Sequence, residues 1–233
     1  MIAVAGALGV AVVGALAHGT YHRNSPVFGA ALGTLPATLA AERAVALTFD
    51  DGPNPDATPR ILDALGETGT VATFFLLGRH VARWPEIARR VAAEGHVIGN
   101  HGWHHRKLHT QRPSSVRNDL ELGTAAIADA TGTRPQVFRA PHGFRSPWVT
   151  AIARSLGQRT IGWSLGVWDT ALPGVDAIVE RTVNGTRAGS ILLLHDGDGY
   201  DALGDRRQTA DAVPRIIASL GAAGYRFVGV PAS

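Results

Sequence analysis

Two adjacent carboxylates, Asp50 and Asp51, end the apolar run Ala44-Val45-Ala46-Leu47-Thr48-Phe49 and are followed at once by Gly52-Pro53-Asn54-Pro55. This reads as a buried strand that delivers two acids to the mouth of a loop. Neighbouring acids repel each other and resist leaving water, so a core holds them only with a partner, and a metal ion is the partner they suggest. A second polar cluster, Asn100-His101-Gly102-Trp103-His104-His105, follows a short apolar stretch. The i, i+4 spacing of His101 and His105 would put both on one side of a helical turn. Two histidines and one carboxylate, here Asp51, form a catalytic metal site that leaves a position open. Zinc suits that set best; cobalt, nickel and manganese also bind it. His104 and His109 read as bystanders.

The elements that must position these residues follow an alternating pattern. Strand-like stretches at 45–50, 72–77, 96–99, 136–139, 159–164, 191–195 and 225–230 are separated by helix-like stretches at 58–67, 85–94, 114–130, 147–156, 176–187 and 209–223. Ser114 reads as the cap that opens the third helix, and Gly132 as the residue that ends it. Repeated strand–helix alternation predicts an α/β fold with a parallel sheet and covering helices. With no Gly-x-Gly-x-x-Gly loop, the expected form is a distorted (β/α) barrel of about seven parallel strands. Barrel chemistry collects at the carboxyl ends of strands. There the chain places Asp50-Asp51, Asn100-His101, Arg139, Asp169 and His195-Asp196.

The 233 residues suffice for one large core, and 45% hydrophobic against 18% charged residues is a globular composition. The formal charge is +3, Lys107 is the only lysine, and the arginines are scattered, which gives no footprint for nucleic acid. The absence of cysteine excludes disulfides, thiolate metal sites and a cysteine nucleophile. Residues 1–17 carry no charge. As a helix they would reach about 26 Å, close to the ~30 Å of a hydrocarbon core, and Ala15-Leu16-Ala17 fits a small-x-small cleavage site. They read as a signal peptide or membrane anchor, placing the protein in the cell envelope or outside the cell. Residues 18–43 read as a stalk or linker, and 44–233 as the catalytic domain.

Five motifs, in order from Thr48 to Asp196, resemble those of the polysaccharide deacetylases of the NodB-homology group, the fourth carbohydrate esterase family. The resemblance covers roughly residues 44–230. In Thr48-Phe49-Asp50-Asp51-Gly52 it implies that Asp50 is the catalytic base and Asp51 a metal ligand; strand geometry alone leaves that division open. In His101-Gly102-Trp103-His104-His105 the outer histidines match the family's ligands, with Gly102 where Ser or Thr is usual. In Arg139-Ala140-Pro141-His142-Gly143, His142 replaces the usual aromatic residue. The family uses that position's backbone N–H to hold the oxyanion; Pro141 has none, so His142 is the first residue there that can donate. Arg139 would hold Asp50 through charge-assisted hydrogen bonds. In Trp163-Ser164-Leu165-Gly166-Val167-Trp168-Asp169 the residue order departs from the family's; Asp169 is a candidate acidic partner for His195 or Arg139, and Trp168 a candidate sugar platform. In Ile191-Leu192-Leu193-Leu194-His195-Asp196, His195 matches the family's general acid, and Leu193, on the same strand face, would line a pocket for the acetyl methyl group.

The resemblance implies metal-dependent removal of N-acetyl groups from a cell-wall-type polysaccharide, peptidoglycan or chitin-like, with release of acetate. Two alternatives stand beside it. The same site could cleave O-acetyl esters on xylan or a small amide, or the domain could bind wall polymer without chemistry. Trp103, Trp148 and Trp163 read as core or rim. Asp196-Gly-Asp198-Gly-Tyr-Asp201 fails the calcium-loop pattern, with Tyr200 at the fifth position and Arg207 at the twelfth, and reads as a loop near the site.

Overall fold

The computed structural model describes residues 2–232, without the side chains of residues 2–9. In chain order the elements are α1 (Ile2–Tyr21), α2 (Ala37–Ala41), β1 (Ala44–Asp50), α3 (Ala57–Thr68), β2 (Thr73–Leu76), α4 (Gly78–Arg83), α5 (Pro85–Ala93), β3 (Val97–Asn100) and α6 (Pro113–Thr131). Then come β4 (Val137–Phe138), α7 (Pro147–Ser155), β5 (Arg159–Thr160), β6 (Leu165–Gly166), α8 (Val175–Gly185), β7 (Ile191–His195), α9 (Arg207–Ala222) and β8 (Arg226–Phe227).

β1 is buried along its whole length, as a parallel strand covered on both faces must be. Its side chains alternate between two layers. Leu47 and Phe49 pack outward with residues of α3 and α9, while Ala44 and Ala46 face an inner cluster with Phe75, Val137 and Ile161. Thr48 and Asp50 continue that inner row, so the strand's own period aims Asp50 into the barrel. The sheet runs β5-β4-β3-β2-β1-β7-β6, all parallel, and β8 adds to the start of β1. In register, Asp50 lies level with Phe75 on β2 and His195 on β7. The seven-strand path curls into a half-barrel with helices outside, the distorted (β/α) barrel expected from the sequence.

Several boundaries differ from the sequence reading. Helix α4 appears ahead of α5, the stretch 159–164 divides between β5 and a turn leading to β6, and the last strand shrinks to Arg226–Phe227. α6 begins one residue before Ser114, with Pro113 in its first turn and no side-chain cap, because proline's fixed φ already suits that position. Gly132 does end it, in the left-handed conformation at φ 74°.

The larger difference concerns residues 18–43, read as a stalk. They close back on the barrel. The end strands β5 and β6 do not pair with each other, and the N-terminal segment crosses that seam. Leu32 pairs in parallel with Ile161, and Thr34 pairs antiparallel with Ser190 just before β7. Leu32 N–H donates to Thr160 O at 3.0 Å, Gly162 N–H donates to Leu32 O at 2.9 Å, and Leu35 is buried. An edge strand's free backbone groups need partners, and this segment supplies them. α1 runs unbroken past residue 17, and its side chains from Val10 to His18 are exposed. Among the described residues no helix is long and apolar enough to cross a membrane. The first nine side chains of the export segment lie outside the described residues.

Deleting residues 1–36 should therefore lower Tm by on the order of 10 °C, since several backbone hydrogen bonds and the Leu35 contact are lost, whereas deleting 1–17 should shift it by no more than about 2 °C. Thermal denaturation of both variants checks this; equal melting would make the segment a free stalk.

Candidate active site

The inward row of β1 meets a fully buried guanidinium. Arg139 follows β4 and donates from Nη1 to Thr48 Oγ1 at 2.8 Å and to Asp50 Oδ1 at 2.7 Å. Its Nη2 donates to Gly162 O at 2.9 Å, and its plane lies 4.1 Å from the Phe75 ring centroid. Asp50 Oδ1 is thereby engaged, and Asp50 Oδ2 faces His101 Nε2 at 3.7 Å.

One residue later the chain leaves the strand. Asp51 sits at φ 75°, which turns its carboxylate away from Arg139 and towards the histidines. Its Oδ1 lies 3.3 Å from His101 Nε2 and 3.2 Å from His105 Nε2. The donor atoms of Asp51, His101 and His105 all fall within 4.8 Å of one another, and all three residues are buried. His101 Nδ1–H donates to Arg139 O at 2.8 Å, which leaves Nε2 as the lone-pair nitrogen facing Asp51. Asp51 Oδ1 is buried without a hydrogen-bond partner. A buried carboxylate oxygen facing imidazole lone pairs is a cage of donors with nothing to donate to, and a divalent ion fits it. The protonation tendencies agree. Burial opposes it, but the hydrogen-bonding approach of His101 first, and then the surrounding imidazoles, hold Asp51 well below the usual carboxylate range. Burial pulls His105 down and, although Asp51 opposes it, the neighbouring His101, His142 and His195 add to the fall, to about 3, so its imidazole is neutral. Burial would lower His101, yet Asp50 and Asp51 outweigh it and raise it; a proton there stands where a cation would.

The spacing of His101 and His105 suggested a helical turn, but the structure shows a loop. Gly102 at φ 81° and His105 at φ 58° fold it back on itself. Asn100 Oδ1 accepts from Gly102 N at 2.8 Å, and Asp119 accepts from Trp103 N at 2.7 Å and His104 Nδ1 at 2.8 Å. A Cβ on Gly102 would sit 2.5 Å from Asp119 Oδ1, so glycine here is part of the loop's design. His104 is thus a brace for the ligand loop, and Asp119 is a supporting residue that the sequence reading missed.

On the other side of the cleft, Asp169 grips His195 twice. Its Oδ2 accepts from His195 N at 2.7 Å and its Oδ1 from His195 Nδ1 at 2.9 Å. Of the two partners considered for Asp169, the structure gives His195; the carboxylate of Arg139 is Asp50. Burial would lower the His195 pKa, but the Asp169 contact and the Asp51 and Asp50 charges outweigh it and push it up to about 9. Asp196 turns behind the site and accepts from Thr58 Oγ1 at 2.6 Å. Leu193 and Trp168 line the same cavity of about 540 Å³ as Asp50, Asp51 and His195. Leu193 is nearly buried, whereas Trp168 is 74% exposed at the rim. His142 sits at φ 60° after Pro141, and its Nε2 meets Tyr200 Oη at 3.0 Å. Trp163, read as core or rim, lines the cavity beside Phe144 and Tyr200. Trp163 stands in the fourth motif and Tyr200 in the loop expected near the site, whereas only proximity in space reveals Phe144.

A carboxylate and an imidazole, each held by its own partner, face a ligand triad at the carboxyl ends of barrel strands; this is the geometry of a hydrolase. The polysaccharide deacetylase family profile matches residues 39–161. The chain is 38% identical over 194 residues to a peptidoglycan-N-acetylglucosamine deacetylase of Bacillus cereus, covering 81% of this chain and 87% of that one. It is 40% identical over 178 residues to a chitooligosaccharide deacetylase of Bradyrhizobium, covering 76% and 80%. Among solved structures, a peptidoglycan N-acetylglucosamine deacetylase in complex with an N-hydroxybenzamide superposes with a TM-score of 0.78 at 32% identity, covering 86% of this chain and 90% of that one. The chain belongs to the polysaccharide deacetylase family, hydrolases of carbon–nitrogen bonds.

The two adjacent acids should separate in experiment. Asp51→Asn should weaken Zn2+ binding by more than about 100-fold in chelator competition, whereas Asp50→Asn should keep the metal and lose about 10²–10⁴ in kcat. The reverse pattern would swap their roles. The pH dependence has a defined sign. The raised His195 pKa keeps its proton through neutral pH, and the His195–Asp169 pair contributes stability that is full below about 6.5 and lost as pH rises through about 9. The alkaline limb of kcat should fall near 9 and move down by at least about one pH unit in Asp169→Asn; an unmoved limb would assign it to another group.

Proposed function

We propose that this protein removes N-acetyl groups from a cell-wall-type polymer of N-acetylglucosamine, peptidoglycan or chitin-like, and releases acetate, using one divalent ion, zinc by preference. The observation that carries this reading is the meeting of an Arg139-held carboxylate and an Asp169-held imidazole across one cleft, on either side of the Asp51-His101-His105 triad. The activities of the two relatives, on peptidoglycan N-acetylglucosamine and on chitooligosaccharides, support the choice of polymer.

Asp51, His101 and His105 would hold the ion, which when bound would supply Lewis acidity that lets an attacking water lose a proton near neutral pH. Asp50 takes that proton on Oδ2, because Oδ1 is held by Arg139. The His142 N–H donates to the acetyl oxygen as negative charge builds on it. Leu193 walls the space for the acetyl methyl group. His195, with Nδ1–H fixed on Asp169, donates from Nε2 to the departing nitrogen. An amide requires this donation, since a free amide anion is a very poor leaving group. Trp168 offers its exposed face to a sugar ring at the rim. The exposed apolar residues of α1, including Val10 and Val13, support export or anchoring by the N-terminal segment.

Acetate release should be measured side by side on chitin oligomers, peptidoglycan and acetyl-xylan. Turnover of the amide substrates, lost on chelation and regained with Zn2+, is the expected result. Release from acetyl-xylan alone would make the protein an O-acetyl esterase, and polymer binding without release from any substrate would make it a binding module.

A further inference from the structure

The turn that carries Trp163 hangs between the two unpaired ends of the sheet, yet it forms one wall of the cleft. Ser164 ties the turn's far side to Ile191 of β7, and the Trp163 carbonyl is held by a part of the chain that precedes the family match. Arg23 Nε donates to Trp163 O at 2.8 Å, and Arg23 Nη2 donates to Ser164 O at 3.2 Å. Asn24 Nδ2 donates to the same Trp163 carbonyl at 2.9 Å. The Arg23 guanidinium also lies 5.3 Å from the Trp163 ring centroid. The indole also abuts Gly143, where a Cβ would sit 2.5 Å from the Trp163 ring and 3.2 Å from Arg23 Cβ. Gly143 itself stands at φ 73°, a conformation that favours glycine. The N-terminal segment and the loop that carries His142 together clamp the indole.

We propose that Arg23 is a positioning residue for substrate binding, acting through Trp163: it fixes the indole as a rigid wall of the cleft. The statement rests on the deacetylase reading for its kinetic consequence, but not for its structural one. Arg23 touches none of the groups assigned to proton transfer. The Arg139 guanidinium also lies 5.7 Å from the Trp163 ring centroid, but its hydrogen bonds to Thr48, Asp50 and Gly162 and its closer contact with Phe75, at 4.1 Å, are made without the indole. Losing Arg23 should thus weaken binding and spare the chemical step. Lysine should not replace it, because a single ammonium cannot reproduce a planar fork aimed at two successive carbonyls and stacked on a ring.

The test uses full-length Arg23→Ala, Arg23→Lys, Trp163→Ala and the Arg23→Ala/Trp163→Ala double variant, with an N-acetylglucosamine oligomer as substrate. Arg23→Ala and Arg23→Lys should each raise KM by about 5-fold or more with kcat within about 2-fold, and in the Trp163→Ala background Arg23→Ala should add nothing. An additive KM effect, an unchanged KM, or a fall in kcat alone would overturn the proposal. A readout independent of turnover is the indole N–H resonance of Trp163, assigned by its loss in Trp163→Phe. In Arg23→Ala that resonance should shift or broaden while those of the other four tryptophans stay in place; an unmoved Trp163 resonance refutes the clamp. If the wild type releases no acetate, the functional reading falls, and the indole resonance alone decides for or against Arg23.

Discussion

The buried guanidinium of Arg139 is the constraint around which this half-barrel is organised. A charge taken fully out of water is tolerable only when its donors are matched, and here both terminal nitrogens are, with Nε alone unpartnered. Thr48 and Asp50 come from the inner row of β1, Phe75 from β2, and the Gly162 carbonyl from the turn beyond β5. The partners thus span the sheet from its centre to its open edge. Each must reach the guanidinium within hydrogen-bond distance, which fixes the curl of the strands between them. The carbonyl of Gly162 is in turn held in place by the N-terminal segment, whose Leu32 O accepts from Gly162 N–H. A segment that looks peripheral in the chain is therefore three hydrogen bonds from the Asp50 carboxylate.

The same constraint divides the two neighbouring acids. A strand's period sends Asp50 inward to Arg139, and any further residue in strand conformation would point outward into the apolar layer of Leu47 and Phe49. A carboxylate could not stay there. The chain breaks its strand at Asp51, with φ 75°, and so directs that side chain back over the strand end towards His101 and His105. His80 Nδ1–H donates to the Asp51 carbonyl at 2.8 Å and braces the turned backbone. A left-handed aspartate costs of order 1–3 kcal/mol and persists only where its surroundings over-determine it. Here that cost separates two like charges into different electrostatic neighbourhoods, one with a guanidinium and one with two imidazoles.

What could be read from the sequence was whatever depends on local period and order. The alternation of β1, the apolar run before His195 and the placing of polar residues at strand ends all follow from side-chain direction, and they gave the barrel and the cluster of Asp50, Asp51, His101, Arg139 and His195. The pairing of Asp169 with His195 was legible only as one of two options, because it joins residues brought together by the curl of the sheet. The conformation at His101–His105 was misread because an i, i+4 spacing is equally served by a tight loop when Gly102 and a buried Asp119 support it. The N-terminal segment was invisible for a different reason. Its role is to satisfy backbone groups of strands more than a hundred residues away, and backbone hydrogen bonding imposes almost no pattern on the side chains that supply it.

The register of β1 and β7 raises a problem that the fold has to solve. Asp50 and His195 are direct neighbours across a parallel ladder, where strands run about 4.8 Å apart, and both side chains point inward. Left alone, a carboxylate and an imidazolium so placed would pair, and the pair would occupy the two groups to which the proposed mechanism gives proton transfer. Among the described residues the ion pairs join Asp50 to Arg139 and His195 to Asp169, and none joins Asp50 to His195. Arg139 draws the carboxylate towards β4, while Asp169, through both the backbone and the ring of His195, draws the imidazole towards β6. Each tether is itself buried, so neither yields easily to solvent. Two separate ion pairs thereby prevent a third, and the space they hold open between Asp50 and His195 is the space that the proposed mechanism requires for a scissile bond.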